Sequence, residues 1–210
     1  MTRRTPYMLA LLALFASSTT PLSGQDNALD LRIVEFNSSR DVTYQNFIYA
    51  RNLAGGKFLV QALYLRLPRD KYNEVAVGTG MRVATFGDAT AYVIAGVGHA
   101  TDANYAEPAV LVQDTKGRFT YAVFFQRYVP LSTAGIGQWL IDPLEAQYVV
   151  HGPFYLGAAL YAYQAQGGDW LTKIGPKLGV NDKYGSTEIR VAAVNHGGGR
   201  QVQLRRIVIF

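Results

Sequence analysis

From Asp26 onward the chain alternates apolar and polar positions with a period of two, the spacing of a strand with one face buried. The last ten residues show it plainly: Val202, Leu204, Val208 and Phe210 share one face, with Arg206 the single exception. Gln201, Gln203 and Arg205 take the other face. Segments of this kind run over 29–36, 42–52, 57–67, 74–86, 89–100, 105–113, 118–129, 136–150, 153–164, 169–180, 187–195 and 201–210. Clusters such as Gly87-Asp88, "DTKG", "QGGD" and "NDKYG" separate them and read as turns. No stretch has convincing amphipathic helical periodicity. The pattern predicts an all-β fold, a closed antiparallel up-and-down transmembrane β-barrel of about 12 strands.

The faces say what surrounds such a barrel. Val75, Val77, Met81 and Val83 oppose Gly78, Gly80 and Arg82, and Phe119, Tyr121, Val123 and Phe125 oppose Arg118, Thr120 and Gln126. Trp170, Ile174, Leu178 and Val180 oppose Lys173 and Lys177, and Ile189, Val191 and Ala193 oppose Glu188 and Arg190. Apolar outside and charged inside fits a strand crossing lipid around a wet lumen, since Arg or Lys at the lipid midplane costs ~2–4 kcal/mol. Two segments, "FLVQALYLRL" and "YVIAGVG", are apolar on both faces and imply a partly apolar inner wall. Asp142-Pro143 interrupts its segment and predicts a bend or bulge, because proline cannot donate to the ladder.

The ending on Phe210 resembles the closing strand of bacterial outer-membrane β-barrels, whose C-terminal phenylalanine is read by the barrel-assembly machinery. That resemblance implies an outer-membrane location, a lipid environment, both termini in the periplasm and Phe210 as the assembly signal. In size and strand number the chain is similar to the twelve-stranded oligosaccharide-specific porins, a likeness of architecture without a shared motif.

Composition adds limits. The 210 residues suit one domain, and the absence of Cys removes disulfides and thiolate metal sites. Fourteen Tyr and ten Phe favour strands. Arg3 and Arg4 precede the apolar run "YMLALLALFA" and the small-residue run "SSTTPLSG". This order reads as a secretory signal peptide over 1–24, with the barrel domain over 25–210. Without those two arginines, 18 basic residues stand against 15 acidic ones, too small and dispersed an excess for a nucleic-acid partner.

The remaining chemistry is sparse. His99 and His196 fall at the outer rim with Asp102, Asn195, Ser38, Ser39 and Ser132, but without a hydrolase motif. No metal, catalytic or cofactor site is assigned, and the glycine sets lack the ending of a phosphate loop. Expected inward residues are Arg32, Arg82, Arg118, Lys173, Lys177, Arg190 and Arg205, with Asp30, Glu74 and Glu188, and Tyr155, Tyr161 and Tyr163. This inventory supports a narrow passive channel for small anionic or sugar-like solutes, formed by a monomer. It also fits a structural or accessory barrel of an envelope or surface-export complex, locked by ion pairs. A rim-located lipid-modifying enzyme is the third reading.

Overall fold

The computed structural model describes residues 27–35, 43–67, 71–101, 103–132, 138–165, 167–195 and 199–209. Among them are thirteen strand segments and no helix. They are β1 (Asn27–Glu35), β2 (Thr43–Leu53), β3 (Phe58–Leu67), β4 (Tyr72–Phe86), β5 (Ala89–Ala100), β6 (Ala103–Ala106) and β7 (Ala109–Lys116). The series continues with β8 (Phe119–Pro130), β9 (Gln138–His151), β10 (Phe154–Ala165), β11 (Trp170–Asp182), β12 (Gly185–Val194) and β13 (Arg200–Ile209).

Each strand runs antiparallel to its neighbours, and β1 pairs with β13 from Ala28 opposite Ile209 to Glu35 opposite Val202. The sheet therefore closes on itself. β6 and β7 occupy one place between β5 and β8, interrupted at Glu107-Pro108, so the ring has twelve staves. The interruption was not anticipated from sequence, yet its cause is ordinary: Pro108 has no N–H to give. The ladder resumes at once, with Glu107 N–H donating to Gly96 O at 2.9 Å and Arg127 N–H to Pro108 O at 3.0 Å.

The expected bulge is present in β9. Its register shifts against both β8 and β10 around Asp142-Pro143. Every hairpin turn at the end carrying Asn27 and Ile209 is short, and Gly87 and Gly117 take positive φ there (65° and 59°), a conformation glycine enters without strain. That end is called the terminal end below, and the opposite one the loop end.

The outer surface is apolar. Val77, Met81, Val93, Val97, Leu156, Ile174, Leu178, Ile189, Val191, Val202 and Leu204 are all exposed there. A continuous apolar belt of this extent is stable only against an apolar surrounding. Phe58, Phe86, Phe119, Phe154 and Tyr184 gather as exposed aromatics at the terminal end, where a barrel meets the lipid–water boundary. Arg206, the one charge on the apolar face of β13, is also near that boundary. Its guanidinium donates to both carboxylate oxygens of Asp182, at 2.6 and 3.0 Å, and to Thr187 Oγ1 at 3.0 Å.

Candidate functional site

The interior is the concave surface that the topology creates, and three different inner walls line it. On the β2–β8 side, Leu59, Tyr92, Ile94 and Ala109 are buried together, with Ala50, Leu111 and Phe124 packed against them. This is the apolar wall expected from "FLVQALYLRL" and "YVIAGVG". Gly80 lies between Leu59 and Ile94, and a Cβ there would come within 2.9 Å of the Ile94 side chain.

At the loop end the wall is tyrosine and carboxylate. Glu74, 2% exposed, accepts hydrogen bonds from Tyr72 Oη at 2.8 Å and from Tyr105 Oη. The rings of Tyr105 and Tyr128 pack at 4.8 Å between centroids. Beside them Gln126 Nε2 donates to Glu107 Oε2 at 2.6 Å, and Glu107 is also buried. Tyr163 lies on β10, nearly opposite β4 in the ring. A buried carboxylate needs such donors, since leaving its oxygens unpaired would cost several kcal/mol, roughly.

The terminal half of the β9–β13 side carries an ion network. Lys177 Nζ is 2.9 Å from Glu145 Oε1 and 3.3 Å from Glu188 Oε2. Arg190 reaches Glu145 Oε1 and Glu188 Oε1, each at 2.6 Å. Arg205 is 2.7 Å from Glu145 Oε1 and 3.3 Å from Glu188 Oε1. Tyr155 Oη donates to Glu188 Oε2 at 3.0 Å, and Lys177 also donates to Gln147 Oε1 at 3.2 Å. Three cations thus share two carboxylates among the described residues, and Glu188 is 2% exposed.

Of the residues expected inside, Lys177, Glu188, Arg190, Arg205 and Tyr155 meet in this network. Lys173 of β11 lies half-buried over the Tyr161 ring of β10, 5.1 Å from its centroid, and Tyr163 is half-buried further along β10. Arg82 is half-buried on β4. Arg118 stands apart: it lies in the turn before β8 with its side chain exposed. Arg32 occupies the register position opposite Arg205. Phe210, His196, Asp102, Ser38, Ser39 and the leader lie outside the described residues. His99 is exposed and shares a 2.8 Å hydrogen bond with Asn104 Oδ1.

Glu145 was missed by the sequence reading, and so were Tyr105, Tyr128 and Glu107. For Glu145 the signal existed: a bulge at Asp142-Pro143 resets the alternation, and Glu145 then falls in register with Ala159, on the face of Gly157 and Tyr155. For Glu107 the following proline was the only mark.

No family model and no curated protein sequence matches the chain. Solved structures do. The KdgM porin superposes with a TM-score of 0.65 at 12% identity, covering 87% of this chain and 99% of that one. The NanC porin gives 0.65 at 10% identity over the same shares. An outer-membrane channel from Pseudomonas putida F1 gives 0.50 at 8% identity, covering 91% of this chain and 97% of that one. At such identities the likeness is one of backbone, but it spans the whole barrel: the chain has the closed antiparallel fold of the small outer-membrane porins.

Proposed function

We propose that this barrel is a narrow passive channel of the bacterial outer membrane for small anionic or sugar-like solutes. The observation that carries the reading is the cluster of Lys177, Arg190 and Arg205 on the inner wall, in a barrel of porin fold. Confined basic groups raise the local concentration of anions, and the half-buried Tyr161 and Tyr163 of β10 are the candidates for stacking on sugar rings. A structure of the similar KdgM porin is of its complex with disordered oligogalacturonate, a polymer of sugar acids. In this reading residues 1–24 are removed on export, Phe210 is read by the assembly machinery, and the barrel works as a monomer in lipid.

Planar-bilayer recordings of the purified protein test it. The expected result is small discrete conductance steps with weak anion preference in reversal potentials, diminished at high salt as screening shortens the reach of the fixed charges. Changing Lys173, Lys177 and Arg190 together to Gln should lower that preference. Cation preference overturns the anion reading, and silence from a correctly folded barrel overturns the channel. One observation favours the alternative of a structural barrel. Lys177 and Glu188 have side chains only 1% exposed, so part of the charge is spent on holding the wall together.

A further inference from the structure

One oxygen atom does much of the charge balancing in the ion network. Glu145 Oε1 contacts Lys177, Arg190 and Arg205 at 2.9, 2.6 and 2.7 Å. The second carboxylate, Glu188, is buried and accepts a hydrogen bond from the Tyr155 hydroxyl. Glu145 differs in exposure: its side chain keeps 21% of its surface open, against 1%, 11% and 9% for the three cations. It also comes from farther away. β10 and β11 separate its strand from β12, and small residues on β10 clear the way: Gly157, where a Cβ would sit 2.8 Å from Lys177 Cε, and Ala159. Glu145 is therefore the solvent-side lid of a pocket of donors, and the donors are an ammonium and two guanidiniums converging on one point. That set is what a carboxylate binds best.

We propose that Lys177, Arg190 and Arg205 form a carboxylate-binding subsite, and that Glu145 occupies it as a tethered stand-in which the carboxylate of a sugar acid displaces. This rests on the channel reading, which supplies the solute. The tether explains why displacement is brief. A carboxylate held on the same wall competes at an effective concentration on the order of millimolar or above, so a free solute holds the site only transiently. Passage requires that weakness, because a solute bound tightly in the lumen blocks it.

Titrating the full-length refolded protein in detergent with sodium glucuronate, and with glucose as the neutral counterpart, tests the subsite without any need for current. Glu145→Gln should bind glucuronate about tenfold or more tightly than the parent, with glucose unchanged, because the competitor is gone while the donors remain. Glu145→Asp keeps the charge but shortens the reach, and should fall between them. Heat-modifiable migration on a gel confirms each barrel is folded, and the Asp variant decides the matter if the Gln variant does not fold. Equal or weaker glucuronate binding by the folded variant, or the same change for glucose, overturns the subsite. Tight binding by Glu145→Gln together with a silent bilayer would retain the subsite and discard the channel.

Discussion

Tyr155 shows how single residues set this interior. Its ring lies directly over Gly179 on the neighbouring strand, where any Cβ would overlap the ring carbons. Tyr105 lies over Gly98 in the same manner. An aromatic covering a strand glycine restores the packing the glycine lacks, and here it also aims the hydroxyls at Glu188 and Glu74. Gly179→Ala should therefore push Tyr155 off Glu188 and cost about 1–3 kcal/mol, the usual range for forcing a methyl into a filled site. Urea titration of the refolded barrel would read it, and an unchanged midpoint would show that the ring moves freely. Alternation put Tyr155, Glu188, Arg190, Arg205 and Lys177 on the inner face from sequence alone. The tyrosine–glycine pairs were not legible, because they join strands and depend on register. Glu145 was hidden by a different cause, the parity change at Pro143.

At the scale of an element, β13 carries the clearest contrast between lipid and rim. Leu204 sits mid-strand on the outer face, whereas Arg206 lies near the terminal end and pairs with Asp182. Charge on the outer face is costly at the midplane and cheap at the boundary. Leu204→Arg should thus lose ~2–4 kcal/mol in folding into lipid vesicles. Asp182→Asn should change little, since it breaks only an exposed pair. Tolerance of arginine at 204 would mean the belt does not face hydrocarbon. The staves themselves were readable, with ends displaced by a few residues, because a strand with unlike faces announces both its length and its orientation. What alternation could not announce was the break at Pro108, where one segment becomes β6 and β7.

For the molecule as a whole, the pairing of β1 with β13 has a consequence beyond closing the sheet. Ala28 and Ile209 are partners in register, so the first and last strands are neighbours at one rim. In a ring of hairpins every seam is equivalent in kind, and the point at which the ring is cut is not an architectural feature. Joining Phe210 to Asn27 through a short Gly-Ser linker and reopening the chain between Gly87 and Asp88 should yield a circular permutant that refolds in detergent with parental heat-modifiable migration. Failure to regain that migration would show that the native order of strands is needed for closure. The same permutant would carry an interior strand where the parent carries its final one. Folding would then belong to the circle of strands and not to the point at which the circle is cut.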